Sequence, residues 1–342
     1  MESGFAPVEH AIQRGPIPGA AAAIGTRDGE RMACFGVSEP GRGAVTPDTW
    51  YDLASLTKVL CTTPLALNAI AAGRIDPRAP LRDLLPEIAW LQSSPNLGDA
   101  SILQLATHTS GLAAWQPLYT LGLDRATHFA RLLHTQLSDT VGQIVYSDLG
   151  FMLLGYLLER IHGQRLDALA RELFARIGVE EHIAFTPPAG APLAPTEVCP
   201  WRGRLLRGEV HDENAAALGG VSGHAGLFAT LRGVCGYARA LLSCRVHSAA
   251  VLEYLSTEHA RSDTERRGFG WSLMFPGWSG GDLISRRSIG HTGFTGTGVW
   301  IDLERGSYTV LLTNRVYPSR HVESNIVGLR RAFNHAAHAS LS

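Results

Sequence analysis

The apolar positions of the chain repeat in two different ways, and the change of pattern predicts where strands and helices lie. Near the start, small and apolar residues fill positions 19–26 and 31–37, and Asp28-Gly29 between them is a strong hairpin signal. Short β-type runs return only near the end, over residues 268–274, 288–292, 298–303 and 308–313. Strands are therefore expected at both ends of the chain.

Helical patterns occupy most of the remaining sequence. The predicted helices cover residues 6–14, 55–72, 102–107, 126–135, 149–162, 166–177, 231–243, 249–255 and 322–338. Pro64 falls inside the second of these and should kink it or end its first part, because proline has no N–H to donate. The stretch 186–200, rich in proline and alanine, is expected to be a long surface connection.

These elements together predict the α+β class. Its antiparallel sheet is flanked by terminal helices, and a mostly helical subdomain is inserted between the strands. A length of 342 residues allows two domains or one composite domain. We expect a sheet subdomain of residues 1–60 plus 230–342 and a helical subdomain of residues 61–229. With 45% hydrophobic and 18% charged residues, the chain has a globular composition and can bury a sizeable core.

Charge and cysteine content narrow the classes of partner and location. A net charge of −1 without any basic run favours neither nucleic acid nor an anionic membrane as partner. No apolar stretch approaches the ~20 residues that cross a bilayer, and residues 1–18 lack the pattern of a signal peptide. The cysteines are odd in number and lack metal-type spacing, which favours reduced thiols and a cytoplasmic location. They are Cys34, Cys61, Cys199, Cys235 and Cys244.

One basic residue differs from all the others. Lys58 is the only lysine among 30 lysines and arginines. Codon bias explains the general preference for arginine, but it does not explain the exception. Arginine stays protonated in proteins, whereas a lysine amine can lose its proton. Position 58 is therefore a candidate for amine chemistry.

The second candidate is a serine three residues before that lysine. On a helix, residues i and i+3 lie on the same face, so Lys58 can reach the hydroxyl of Ser55. A serine needs an adjacent base to become a nucleophile, and a lysine kept neutral by burial can be that base. A Ser-x-x-Lys match alone is weak. The single lysine at a predicted helix start favours a catalytic pair over coincidence.

Two further segments offer groups for proton transfer and substrate binding, each with a plain structural alternative. Tyr146 could relay a proton to a leaving group, or be a core aromatic residue. Asp148 could bond the lysine or the substrate, or cap the next helix. His291, Thr292 and Gly293 lie in a predicted strand where glycine lets a substrate approach, or they form a bulged turn. The amides of Phe294 and Ser55 could together form an oxyanion hole.

Other patterns are weaker. Residues 220–224 resemble a hydrolase nucleophile elbow centred on Ser222, but His224 stands where the second glycine is required. His211, Asp212 and His224 are metal-ligand types, yet their spacing matches no zinc pattern. No metal or cofactor is expected, because the proposed amine and oxyanion hole supply the base and the polarisation.

The order and spacing of these segments resemble those of class C β-lactamases, DD-carboxypeptidases and their esterase relatives. The likeness extends to residues 50–55 before the serine, to residues 104–112, and to residues 290–298. It implies an active site at the junction of the two subdomains. It also implies that Ser55 is the nucleophile, that Lys58 and Tyr146 are general base and acid, and that Ser55 and Phe294 donate the oxyanion hydrogen bonds.

Two positions depart from the β-lactamase pattern. Asp148 stands in place of asparagine, and His291 stands in place of lysine. A mostly neutral histidine and an added carboxylate should disfavour a substrate carboxylate nearby, unless Arg286 or Arg287 compensates. Residues 208–214 are similar to a segment of amidases that act on muropeptides. The sequence thus predicts a serine hydrolase of an amide or ester, with a muropeptide or other small molecule as substrate. A carboxylesterase and a non-catalytic sensor of cell-wall fragments remain as alternatives.

Overall fold

The computed structural model describes residues 3–90, 97–122, 124–138 and 140–341. Strands from both ends of the chain form its main sheet. These strands are β1 (Gly19–Thr26), β2 (Glu30–Gly36), β8 (Ala260–Arg261), β9 (Arg266–Arg267), β10 (Ser272–Leu273), β11 (Ser288–Thr292), β12 (Gly298–Asp302) and β13 (Ser307–Thr313). They pair antiparallel in the order β2-β1-β13-β12-β11-β10-β9-β8. Between them in the chain lie the short strands β3 (Tyr51–Asp52), β4 (Ile183–Ala184), β5 (Val198–Cys199), β6 (Arg204–Leu205) and β7 (Phe228–Ala229).

Strand β1 shows why the sheet is covered on both faces. Alternate side chains of a strand point to opposite faces. Ala21 and Ala23 pack into the larger hydrophobic core, whereas Ala20 and Ala22 pack into a second core with Phe333 of the last helix. The sheet therefore lies between the terminal helices, α1 (Ala6–Arg14) and α10 (Ile326–Ala339), and the helices of the middle of the chain.

The helices of the middle are α2 (Thr63–Ala71), α3 (Ile102–Ala106), α4 (Arg125–Leu133), α5 (Asp148–His162), α6 (Leu166–Ile177), α7 (Glu213–Ala217), α8 (Leu231–Leu242) and α9 (Ala249–Ser256). Short 3₁₀ turns are formed by Ser3–Phe5, Leu81–Asp83, Pro86–Trp90, Leu97–Asp99 and Leu118–Leu121. This arrangement confirms the predicted α+β class. Among the described helices, none has the length and apolarity needed to cross a membrane.

The helix predicted over residues 55–72 is continuous despite Pro64. A π-helical turn, Lys58–Thr62, comes directly before α2, and the Thr63 N–H bonds to the carbonyl of Lys58, five residues back. The widened turn lies just before Pro64, which has no N–H to donate, so the change in hydrogen-bond pattern falls where the proline requires it. The helix therefore continues past Pro64 and does not end there. The helix ends as predicted, with Gly73 at φ +70°.

Two predicted elements differ from the structure. The last helix begins at Ile326 and not at residue 322, because Asn325 adopts a left-handed conformation at φ +46° and interrupts the pattern. The segment 186–200 is not wholly on the surface. Thr196 and Glu197 are buried, and Glu197 binds Arg320 at 2.7 Å. An ion pair that forms across 123 residues of chain leaves no signal in the local sequence.

Candidate active site

Ser55 lies at the wall of a cleft of about 940 Å³. The turn that presents it is held by Asp52, whose carboxylate accepts hydrogen bonds from the amide of Ala54 at 2.7 Å and from the amide of His211 at 2.6 Å. Ala54 has φ +46°, which is uncommon for a residue with a side chain. Residues with such backbone strain cluster at functional sites. The local geometry therefore sets Ser55 apart from an ordinary helix start.

The side chain of Lys58 is completely buried behind Ser55. Its Nζ donates to Ser55 Oγ at 3.0 Å, to Asp148 Oδ1 at 2.6 Å and to the carbonyl of His224 at 3.2 Å. An ammonium group has three protons, and three acceptors receive them. The predicted pair of serine and lysine is thus in hydrogen-bond contact, with Asp148 as a third member.

The charge of Lys58 is the main correction to the sequence-based mechanism. Burial by itself lowers the pKa of Lys58, but the Asp148 carboxylate and the Tyr146 side chain outweigh burial and raise that pKa above its ordinary value. The resting site therefore holds an ammonium group, where the sequence predicted a neutral amine. Any transfer of the Ser55 proton to Lys58 requires that Lys58 pass a proton on.

Asp148 is free to bind Lys58 because another residue caps the helix. The hydroxyl of Ser147 accepts the Gly150 amide at 3.3 Å and is the N-cap of α5. The cap suggested for Asp148 is therefore wrong. Asp148 Oδ1 lies 2.6 Å from Lys58 Nζ and bonds the lysine, which was one of the roles open to it.

Tyr146 lies over Lys58, with Nζ 4.9 Å from the ring centroid. The ring packs against His108 at 4.5 Å between centroids, and His108 in turn accepts the Ser147 amide on Nδ1 at 3.0 Å. The guanidinium of Arg267 lies 5.5 Å from the same ring. Tyr146 thus lines the cleft between two cations, and His108 is a positioning residue that was not singled out in the sequence.

His291 faces the same cleft and is buried. Its Nδ1 lies 3.0 Å from the carbonyl of Thr292 and must donate to it, which leaves Nε2 as an acceptor without a partner among the described residues. Burial, together with the charges of Lys58 and Arg267, lowers the pKa of His291 well below its ordinary value. The ring is therefore neutral, as the sequence analysis expected, and Nε2 is a hydrogen-bond acceptor.

The turn after β11 contacts the segment that carries Ser55. A Cβ on Gly293 would lie 2.4 Å from the carbonyl of Leu53, so only glycine allows this approach. Thr295 and Thr297 donate to the carbonyls of Asp52 and Leu53, at 2.7 and 3.1 Å. The sequence analysis missed these two threonines, although threonine recurs at every second or third position from residue 292 to 297.

The amides of Ser55 and Phe294 are the predicted oxyanion donors. Both residues line the cleft. Within the described chain, neither amide donates a hydrogen bond. Thr292 and Gly293, predicted to bind substrate, line the same wall. The hydrogen bonds of the two amides are thus available to a ligand.

The residues considered for metal binding form an ion-pair network. His224 Nε2 lies 2.8 Å from Asp212 Oδ1, and its Nδ1 lies 2.9 Å from Ser222 Oγ. Asp148, Asp212 and His224 each offer one ligand atom, and these three atoms lie within 4.8 Å of one another. However, the Lys58 ammonium already binds Asp148 at 2.6 Å, and a cation at this position would have to displace it. His211 lies apart and contacts Glu197 at 2.7 Å.

Ser222 is the hydroxyl of the elbow-like segment. It is completely buried and is absent from the residues that line the cleft. Its hydroxyl faces the ring of His224 at 2.9 Å. It therefore has no access to a substrate in the cleft.

The rest of the cleft combines apolar surfaces with arginine side chains. The apolar lining residues include Trp115, Phe275, Trp278, Phe294 and Val327. The lining arginines are Arg267, Arg315, Arg320 and Arg330. Arg286 and Arg287, considered from the sequence, are exposed and do not line the cleft. In this structure neither of them supplies positive charge to the cleft.

Comparisons with known proteins agree with this geometry. A family model described as "Beta-lactamase" matches residues 7–332. A putative D-alanyl-D-alanine carboxypeptidase of Escherichia coli (strain K12) is 29% identical over 311 residues, which cover 79% of this chain and 70% of the relative.

Two solved structures share the fold. A class C β-lactamase from Rhodobacter sphaeroides has a TM-score of 0.78 and 18% identity, with 99% of each chain covered. EstCE1, described as a hydrolase with promiscuous acyltransferase activity, has a TM-score of 0.80 and 17% identity, with 98% of this chain and 97% of that chain covered.

Proposed function

The chain belongs to the beta-lactamase family of serine hydrolases, and on that premise we propose that it cleaves an amide bond of a short cell-wall-type peptide through an acyl-Ser55 intermediate. One observation carries the proposal: the buried Lys58 ammonium binds the hydroxyl of Ser55 at 3.0 Å and the carboxylate of Asp148 at 2.6 Å, at the wall of a cleft. A serine in contact with a proton-transfer group is the arrangement that nucleophilic catalysis requires.

The acylation step can be written so that charge and protons balance. Ser55 Oγ attacks the carbonyl carbon and gives its proton to Lys58 Nζ, while Lys58 passes a proton to Asp148 Oδ1. Lys58 remains an ammonium group, Asp148 becomes neutral, and the carbonyl oxygen becomes the negatively charged atom. The amides of Ser55 and Phe294 then stabilise that oxygen. When the carbonyl double bond re-forms, the carbon–nitrogen bond breaks, and the leaving amine takes the proton held by Asp148, passed on through Lys58 and Tyr146. Asp148 is again a carboxylate, and the acyl group stays on Ser55.

Water next attacks the acyl-serine and releases the acid. Its proton is taken up by the same residues, and Ser55 regains its hydroxyl hydrogen. No metal enters these steps. Lys58 and the two amides supply the electrostatic stabilisation that a metal ion would otherwise give.

The relative from E. coli supports a peptide amide as substrate, since its name describes a putative D-alanyl-D-alanine carboxypeptidase. The resemblance of residues 208–214 to muropeptide amidases points the same way. The cleft, at about 940 Å³, is large enough for a short peptide.

A small carboxylic ester is the second candidate. The exposed rings of Trp115 and Phe294 give part of the cleft an apolar surface suited to an uncharged acyl group. A sensor without turnover is less well supported, because a sensor does not need the contact between Ser55, Lys58 and Asp148.

Three substrates distinguish the candidates. We would measure kcat/KM for a muramyl peptide, a short p-nitrophenyl ester and a penicillin, and follow the protein by intact mass. The proposal predicts an acyl adduct and the highest kcat/KM for the muramyl peptide. A higher value for the ester would favour the carboxylesterase, and a stable adduct without turnover of any of the three would favour the sensor.

The location is a separate part of the proposal. All five cysteines are free, and Cys61, Cys199 and Cys235 are buried. Free thiols support a reducing compartment such as the cytoplasm. A muropeptide hydrolase there would act on recycled fragments of the wall and not on the wall itself. Fractionation of cells that express the full-length protein tests this directly.

A further inference from the structure

Two tryptophans differ from the others in their exposure. Trp115 and Trp201 are 43% and 50% exposed. Tryptophan is highly buried on average, and a contiguous exposed apolar patch indicates a binding surface. The other tryptophans whose side chains the structure describes are at most 4% exposed, and they are Trp50, Trp271, Trp278 and Trp300. The two exposed indoles therefore need a reason other than packing of the core.

Tyr119 joins the two indoles into one row. Its ring centroid lies 6.2 Å from that of Trp115 and 4.7 Å from that of Trp201. Trp115 lines the cleft, whereas Tyr119 and Trp201 do not. These three residues, which we call the aromatic platform, begin at the wall of the cleft and lead out of it. A ligand held in the cleft can thus extend onto the platform.

The first part of the platform is fixed by a buried side chain. Asn214 is completely buried, and its Oδ1 accepts the Tyr119 amide at 2.9 Å. Its Nδ2 donates to the carbonyl of Gln116 at 2.9 Å. Asn214 lies two residues after Asp212, which lines the cleft. The loop that carries Trp115 and Tyr119 is therefore tied to the segment that forms the cleft wall.

The second part is fixed to the same segment by an arginine. Arg202 donates to the carbonyls of Val210 and His211, at 2.6 and 2.7 Å. Its guanidinium lies 5.4 Å from the ring of Trp201. The side chain of Arg202 is only 6% exposed. The exposed indole of Trp201 thus lies on a firm support, and a ligand that stacks on it has little ordering cost to overcome.

The edge of the platform is polar. Glu209 accepts from Arg202 and from Arg204, each at 2.9 Å. The side chain of Glu209 is 33% exposed and that of Arg204 is 60% exposed. Hydrogen-bond acceptors and donors in fixed positions therefore lie next to apolar rings. A ligand with both an apolar face and a polar edge matches this combination, whereas an acyl chain would leave the polar edge unused.

The size of the platform favours a small ligand over a protein. Its three rings leave roughly 300 Å² exposed, and each partner of a stable protein interface buries about 800 Å². A pyranose has a face of C–H groups that can stack on an aromatic ring. Its edge carries hydroxyl groups that both donate and accept hydrogen bonds.

From this geometry we infer that Trp115, Tyr119 and Trp201 bind the sugar ring of a cell-wall fragment whose peptide lies in the cleft. The inference rests on the proposed function, because it describes the substrate of the same site. It narrows the substrate class from a short peptide to a peptide that still carries an amino sugar. The sugar is held outside the cleft, away from the bond that Ser55 attacks.

The test compares two ligands that differ only in the sugar. The probes are muramyl dipeptide and the same lactoyl dipeptide without its sugar, and Kd is measured by calorimetry on Ser55→Ala, which binds without turnover. We expect the muramyl compound to bind about tenfold more tightly, as stacking on two or three rings implies. Adding Trp201→Ala should reduce this preference to about threefold or less. Trp201→Phe keeps a ring and should retain most of it.

Leu283→Ala is the matched control. It removes an apolar side chain of similar exposure, 42%, that does not line the cleft, and it should keep the full preference. Because Trp201 is half exposed, its variants should fold, and circular dichroism checks this. Trp115→Ala removes the other exposed ring and should also reduce the preference, so the test does not depend on one variant.

The outcomes separate the two proposals. If the two compounds bind equally, if neither binds, or if the preference survives in both alanine variants, the sugar site is wrong, while an acyl adduct on Ser55 of the unmodified protein still supports the hydrolase. If the sugar preference is present but muramyl peptides give no adduct, the hydrolase is wrong and the sugar site stands. A dimer that Trp201→Ala dissociates in sedimentation, without any sugar preference, would show that a second copy covers the platform and would overturn the inference.

Discussion

The positively charged groups at the two walls of the cleft have different partners. At the Ser55 wall, the ammonium of Lys58 is wholly buried and bonded to Asp148 within the protein. At the Phe294 wall, Arg315 and Arg330 are held by backbone carbonyls. Neither forms an ion pair within 4.0 Å in the described structure, although the charges of Glu197 and Glu323 act on Arg315. One cation is neutralised before a substrate arrives, and the other two are not.

The difference indicates what each wall does. A buried cation with a carboxylate partner can exchange protons with it and remain neutral overall, which suits chemistry. Cations that only backbone carbonyls hold leave a net positive charge at their wall of the cleft.

Removal of the nucleophile should have the largest effect. Ser55→Ala should lower kcat by at least about 10³-fold, because no acyl-serine can form and only binding and the oxyanion hole remain. Hydrolysis of the best substrate from the three-substrate panel measures this. The control is Ser222→Ala, which removes a buried hydroxyl outside the cleft. A Ser55→Ala protein with near-normal turnover would refute the assignment of Ser55 as the nucleophile.

Replacement of the lysine should come next. Lys58→Arg keeps the positive charge but provides a group that does not release a proton, so kcat should fall by at least about 10²-fold. Arg286→Lys serves as a control for exchange of the two residue types on the surface. If Lys58→Arg retains most of its activity, Lys58 supplies only charge, and the contrast between the walls disappears.

Asp148→Asn should have a smaller effect with a distinct pH dependence. The Asp148 carboxylate raises the pKa of Lys58, so its removal should lower that pKa. The ammonium form would then be lost at a lower pH than in the unmodified protein, and the alkaline limb of the kcat/KM profile should move to lower pH. We also expect about a tenfold loss of kcat, because the proton acceptor is gone. A profile with an unmoved alkaline limb would show that the carboxylate does not control the lysine.

The smallest effect concerns stability at the Phe294 wall. Burial by itself raises the pKa of Glu197, but hydrogen bonds from His211 and Arg320 lower it to about 2. A carboxyl group with a lowered pKa stabilises the fold above its ordinary pKa of about 4.5, and this contribution is lost as the pH falls toward 2. Glu197→Gln should reduce the free energy of unfolding by about 1–3 kcal/mol at pH 6. As the pH falls, the variant should also lose less of its free energy of unfolding than the unmodified protein does.

Urea unfolding between pH 2.5 and 6 measures the unfolding free energy of Glu197→Gln and of the unmodified protein. The exposed Glu253 offers a matched control as Glu253→Gln, which should change the unfolding free energy by at most about 0.5 kcal/mol. Equal pH dependence in Glu197→Gln and the unmodified protein would contradict the account of this ion pair.

The sequence predicted the Ser55 wall better than the Phe294 wall, and the reason is physical. Ser55 and Lys58 are three residues apart on one helical turn, so their contact follows from local geometry. Strand β1 likewise carries its two-residue alternation in its own sequence. The contact between Lys58 and Asp148 joins residues 90 positions apart, and from the sequence it was only one of three roles open to Asp148.

Arg315 and Arg330 had no such signal. Whether they form an ion pair depends on which acids lie near them in space, and no local pattern encodes that. The sign of the Lys58 pKa shift was missed for the same reason, since it results from competition between burial and a nearby carboxylate. The burial of Glu197 also required a partner, Arg320, from far along the chain.

Identification of the acylated residue tests the central claim most directly. The unmodified protein would be treated with a fluorophosphonate, digested and mapped by mass spectrometry. The account predicts one adduct per chain, on the peptide that contains Ser55, and no adduct in Ser55→Ala. An adduct on Ser222 or on any other residue, or labelling that persists in Ser55→Ala, would contradict it.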